Sequence, residues 1–144
     1  MSEVTIAYRP KFKASLRPQV TTAEHAYQIF INQWDKDTIE LLEEFKVMLL
    51  NRHNKVLGIA SVSIGGMEAT VVDPKAVFSI ALKAKANQII LAHNHPSGNI
   101  NPSTVDTQVT RKLKQGGELL DIKVCDHLII TKDGFYSHAD DGLM

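Results

Sequence analysis

Residues 88–106 constrain this chain more than any other stretch. Gln88-Ile89-Ile90-Leu91-Ala92 is an apolar run too short for a helix on its own, and it reads as a buried strand ending at His93. The strand runs straight into His93-Asn94-His95-Pro96-Ser97-Gly98, and a Pro/Gly/Asn loop then continues from Pro96 to Pro102. Ser103 follows as a helix cap, with Asp106 three residues on. Strand side chains repeat with period two, so His-x-His on extended backbone sends both imidazoles to one side. A carboxylate returned by a short loop adds a third donor. Two nitrogens and one oxygen with a fourth position open form the ligand set of a catalytic zinc site, and the residues point to metal-assisted hydrolysis.

Composition narrows the setting. A chain of 144 residues with 44% hydrophobic and 22% charged residues suits one soluble domain with a core of its own. No apolar run is long enough to cross a membrane. Met1-Ser2-Glu3-Val4-Thr5 lacks the order of a signal peptide. Cys125 is the single cysteine, which excludes an intramolecular disulfide, fits a cytoplasmic location and obliges any zinc site to use His and carboxylate. The formal net charge is zero, without the overall basic excess usual in phosphate-binding proteins. Arg9, Lys11, Lys13 and Arg17 make residues 1–19 a locally basic, irregular segment, read either as a solvated tail or as a phosphate-binding arm.

Residues 20–144 read as the domain. Thr21-Thr22 caps a helix over Ala23 to Trp34, whose apolar positions Ala23, Ala26, Tyr27, Phe30, Ile31 and Trp34 recur at helical spacing. Thr38 to Leu42 adds a turn. Phe45 to Leu50 and Lys55 to Ser63 flank Asn51-Arg52-His53-Asn54 as a hairpin, Gly65-Gly66 breaks the second strand, and Glu68 to Val72 is β-prone. Asp73-Pro74 starts a helix running to about Asn87. The helix opened by Ser103 is expected to stop at Gly116-Gly117. Ile122 to Cys125 and Leu128 to Thr131 read as strand, Asp133-Gly134 as a hairpin turn and Phe135 to Ser137 as an edge strand. This mixed order favours an α/β sandwich with a mixed, curved sheet over a doubly wound one.

The same residues carry structural readings. Ser103-Thr104-Val105-Asp106 is also a capping box, and both roles are compatible for Asp106, because Ser103 still caps while the carboxylate turns toward a metal. The helix start favours its ionised form. A hydrolase needs a proton shuttle as well. Glu43 shares its strand face with Phe45, Val47 and Leu49 and is expected to point into the fold, where a carboxylate is costly unless used; Glu44 shares the other face, a solvated pair of strand-end glutamates is the equal alternative, and Glu68 is a third candidate. Ser103 is a candidate donor to charge developing on a carbonyl oxygen, although capping is its simpler role. Asp126-His127 reads as a buried hydrogen-bonded pair, with support of the metal ligands as its alternative. His25, His53 and His138 read as surface residues, and Cys125 as a small buried hydrophobe.

The block H-N-H-P-S-G-N-I-N-P-S-T-V-D resembles the metal-binding signature of the RadC-like branch of the JAB/MPN (JAMM) family, in which a glutamate lies upstream of H-x-H, seven residues and S-x-x-D. The likeness extends to E-E-F-K-V-M-L-L-N, V-D-P-K, the strand before His93 and D-H-L-I-I-T, and spans residues 20 to 144. It implies a cytidine-deaminase-like α/β fold, zinc held by His93, His95, Asp106 and a water, Glu43 as general acid/base, and Ser103 steadying a tetrahedral intermediate. Active members cleave peptide or isopeptide bonds. Longer RadC-like proteins carry a helix-hairpin-helix region suited to DNA, for which this chain leaves no room, and the deubiquitinating branch has Ser or Thr where Asn94 stands. The expectation is therefore a zinc-dependent peptidase or isopeptidase, with a DNA-associated accessory protein of repair or mobile elements, its zinc non-catalytic, as the alternative.

Overall fold

The computed structural model describes every residue except Ile6, Phe12 and 66–71, so Glu68 lies outside the described residues, as does all of the β-prone stretch but Val72. The described elements are α1 (Ala23–Gln33), β1 (Glu44–Leu50), β2 (Val56–Ile64), α2 (Pro74–Lys83), β3 (Gln88–Asn94), α3 (Thr104–Leu119), β4 (Lys123–Ile130) and β5 (Phe135–Ser137), preceded by one 3-10 turn at Ala14–Leu16. They build the mixed α/β architecture read from the sequence: a five-stranded sheet of order β2-β1-β3-β4-β5. β3 and β4 are parallel and every other neighbouring pair is antiparallel.

Local chemistry sets the elements. In the β1–β2 hairpin the Asn51 side-chain oxygen accepts from the backbone N–H groups of His53 and Lys55 at 2.9 and 3.0 Å. Asn54 takes the left-handed conformation that closes the turn, at φ 61°. Thr22 caps α1 through the N–H of His25, and Asp73 caps α2 through the N–H of Lys75, with Pro74 at the first helical position.

Strand alternation divides the core in two. On one face Ala26, Tyr27, Phe30 and Trp34 of α1 and its C-cap pack on Met48, Leu50, Ile90, Ala92, Leu128 and Ile130. On the other, Val77, Phe78 and Ala81 of α2 and Leu113 of α3 cover Phe45, Val47, Leu49, Ile89, Leu91 and Val124. Each large apolar side chain buried this way contributes about 1.5–3 kcal/mol.

Three boundaries differ from the sequence expectation. α2 stops at Lys83 rather than near Asn87, because Lys85 adopts φ 53° while its N–H bonds the Leu82 carbonyl and that of Ala86 bonds the Ala81 carbonyl at 2.9 Å. This closes the helix and buries Ala86. α3 runs straight through Gly116-Gly117. The pair provides close approach rather than a stop: a Cβ on Gly117 would collide with the Ile122 carbonyl oxygen, and one on Gly116 would sit 2.9 Å from the Phe78 ring. The reversal comes at Asp121, φ 55°, with Ile122 N–H bonding the Gly117 carbonyl. β4 is one strand, not two. Its register against β3 shifts between Ile89 and Ile90, which pair with Val124 and Asp126. The extra residue breaks the alternation that sequence reading follows and places Val124 and His127 on the same face.

Candidate metal centre

β3 carries His93 on the α2/α3 face, in line with Ile89 and Leu91, and His95 follows just past the strand end. Asp106 stands in the first turn of α3, opposite them. Its Oδ1 lies 3.2 Å from His93 Nε2 and its Oδ2 3.2 Å from His95 Nε2. The two Nε2 atoms are 3.0 Å apart. Glu43, immediately before β1, completes the cluster with Oε1 3.8 Å from His93 Nε2, and the four donor atoms all lie within 4.8 Å of one another.

Glu43 points inward as the alternation requires, and only 9% of it is exposed. Glu44 turns to the opposite face, where it pairs with Lys46 at 3.1 Å and accepts from the Ser61 hydroxyl. Of the two adjacent glutamates, only Glu43 joins the histidines.

Asp106 does hold the capping box. Its Oδ2 accepts from the Ser103 backbone N–H at 2.8 Å, and Ser103 Oγ accepts from the Asp106 N–H at 3.0 Å. Capping and facing the histidines use the same carboxylate. Burial works against its charge, but hydrogen bonds from His93 and His95, the charge of His93 and the Ser103 N–H outweigh it and hold Asp106 well below the usual carboxylate range. For His95, burial opposes protonation, yet hydrogen bonds to Asp106 and to the Asn99 carbonyl raise its pKa. A carbonyl only accepts, so His95 Nδ1, 2.6 Å from the Asn99 oxygen, carries a proton, and when the ring is neutral its lone pair is on Nε2.

The donors fit a small divalent ion. Bonds of about 2.0–2.1 Å set neighbouring donors about 2.8–3.4 Å apart around a four- or six-coordinate centre; the two Nε2 atoms, 3.0 Å apart, and the 3.2 Å from each of them to its own Asp106 oxygen fall in that range. Neutral imidazole and carboxylate are the donor types such an ion takes. A cleft of about 430 Å³ opens beside the cluster, lined by Glu40, Leu41, Glu43, His95, Ser103 and Asp106 among others.

Two residues escaped sequence reading. Asn94 is fully buried, and its side chain donates to the carbonyls of Ile39 and Leu42 at 2.6 and 2.8 Å while its oxygen accepts from Glu44 N–H at 2.7 Å. Strand alternation alone places it opposite the histidines, which is the signal that could have found it. His138 is completely buried rather than on the surface, stacked on His127 at 4.8 Å with its Nδ1 2.7 Å from the His127 carbonyl. His127 is buried too, with Nε2 2.8 Å from His93 Nδ1. Burial first, then the charges of His93 and His138, depress its pKa far below the usual imidazole value. Asp126 is held by the N–H groups of His127 and Ala139 and by the Ser137 hydroxyl. His25 and His53 are exposed, and Cys125 is half-buried with its thiol toward Gln88.

Fold and site together define a mixed α/β domain with a cluster that could hold a metal ion at the mouth of a cleft. The chain belongs to the RadC-like JAB domain family, whose model matches residues 20–143. It is 50% identical over 101 residues to a UPF0758 protein of Flavobacterium johnsoniae, a match covering 70% of this chain and 44% of that protein. It is 43% identical over 103 residues to one of Symbiobacterium thermophilum (72% and 44%) and 46% identical over 102 residues to one of Clostridium kluyveri (71% and 45%). The chain thus matches less than half the length of these curated relatives. No described helix is long and apolar enough to cross a membrane.

Proposed function

We propose that this chain is a zinc-dependent metallohydrolase acting on peptide or isopeptide bonds. The convergence of Glu43, His93, His95 and Asp106 beside an open cleft carries this reading. His93, His95 and Asp106 would hold the ion. When bound, the ion supplies Lewis acidity toward water and toward a carbonyl oxygen. Glu43 stands farther from His93 Nε2 than Asp106 does, at 3.8 Å against 3.2 Å, a position that suits a base beside the ion better than a ligand to it. Its carboxylate takes a proton from the attacking water and returns it to the leaving amine nitrogen. Ser103 Oγ accepts the Asp106 N–H, so its own hydroxyl proton is available to the developing oxyanion in the cleft. The single cysteine accords with work in a reducing cytoplasm.

The test is hydrolysis of a mixed panel of peptides and isopeptide-linked conjugates by the zinc-loaded chain. Cleavage that stops on chelation, returns with zinc and is lost in Glu43→Gln supports the reading. Cleavage untouched by chelator or by Glu43→Gln contradicts it.

A second reading rests on the exposed cations Arg9, Lys11 and Lys13, which suit nucleic-acid phosphates. Salt-dependent DNA binding abolished by neutralising these residues would favour it, and no binding at low salt would dismiss it.

A further inference from the structure

We propose that His127 and Thr110 act as positioning residues, a buried relay that fixes neutral His93 in the tautomer whose Nε2 lone pair is offered to a metal ion beside Asp106. This rests on reading the cluster as a metal centre. Three contacts carry it. The Thr110 hydroxyl donates to the Asp106 backbone carbonyl at 2.8 Å, so its oxygen is left to accept. His127 Nδ1 lies 2.5 Å from that oxygen and therefore holds the proton between them. With Nδ1 protonated, His127 Nε2 is an acceptor, and His93 Nδ1, 2.8 Å away, must donate to it. When His93 is neutral its lone pair is then on Nε2, 3.0 Å from the Nε2 of His95, which the Asn99 carbonyl fixes in the same tautomer.

The geometry has two sources in the sequence. Thr110 follows Asp106 by one helical turn, so both stand on the same face of α3. The register shift in β4 turns His127 toward His93 rather than toward α1. His127 is 1% exposed and Thr110 2%, so water does not compete for these contacts. Asp106 serves both ends: its carboxylate faces the two ligand nitrogens and its carbonyl anchors the relay. A partner on the far nitrogen of a ligating histidine sets ring orientation and tautomer, and loss of such a partner typically costs about 10–100-fold in metal affinity.

The experiment uses the full chain with ¹⁵N-labelled histidine. Long-range nitrogen–proton correlations read the His127 tautomer with and without zinc, and competition with a chelator reads zinc affinity in wild type, Thr110→Val and Thr110→Ser. Thermal melting confirms that each variant is folded. The relay requires His127 protonated at Nδ1 in both states, zinc affinity reduced about 10-fold or more in Thr110→Val, and near wild-type affinity in Thr110→Ser. His127 protonated at Nε2, or wild-type affinity in folded Thr110→Val, overturns it. A wild-type chain that takes up no zinc sinks the metal reading instead, and the His127 tautomer, read without an ion, tells the two failures apart.

Discussion

The side-chain amide of Asn94 donates to the carbonyl of Leu42 at 2.8 Å, one residue before Glu43. The same side chain accepts from the N–H of Glu44, one residue after it. Asn94 therefore grips the backbone on both sides of Glu43 from the strand position between the two histidines, and the acid/base candidate and the histidine pair are held in one frame.

Removing that grip has a predictable cost. Asn94→Ala leaves a buried carbonyl at Ile39, and a part-buried carbonyl at Leu42 and N–H at Glu44, without their partner. Each buried polar group so orphaned costs about 1–3 kcal/mol. Urea unfolding is expected to show a loss of about 2 kcal/mol or more, with hydrolysis falling further than zinc affinity because Glu43 loses its frame and the ligands do not. Unchanged stability would show that the contacts are replaceable.

Gly116 and Gly117 give a graded test of the α3 interface. Gly117→Ala drives a Cβ into the Ile122 backbone, which has nowhere to go, whereas Gly116→Ala meets the edge of a Phe78 ring. Overpacking of this kind costs about 1–3 kcal/mol. Thermal melting should find Gly117→Ala the more damaging of the two, and the reverse order would refute the packing described.

The pH dependence of stability should change sign with metal content. In the metal-free chain His95 has a raised pKa, from burial opposed and outweighed by its bonds to Asp106 and Asn99. Its contribution is full below the unfolded value of 6.5 and is lost as pH rises through the folded value. Asp106 is depressed, so its contribution is full above the unfolded value of 3.8 and is lost as pH falls below it. Between pH 6 and 8 the metal-free chain should become less stable, whereas zinc, which needs neutral His95, should bind more tightly. Melting curves with and without zinc at both pH values check this, and parallel slopes would contradict it.

Much of this fold could be read in the sequence because its signals were local. The Asp73-Pro74 start, the apolar run into His93 and the Ser103 cap each depend on a few adjacent residues. The approach of Asp106 to the histidines followed from strand alternation plus a short loop. What escaped depends on tertiary contact. The β4 register shift exists only against β3, and without it Asp126-His127 reads as a gap between two strands. The glycine pair looks like a stop until Phe78 and Ile122 are set against it. His138 looks like a surface residue until His127 stacks on it.

Metal content measured by elemental analysis on wild type, Glu43→Ala and Asp106→Ala tests the centre most directly. One equivalent of zinc retained by wild type and by Glu43→Ala, and lost from Asp106→Ala, is the expected result. No divalent ion in wild type after zinc loading, or full retention in Asp106→Ala, would contradict it.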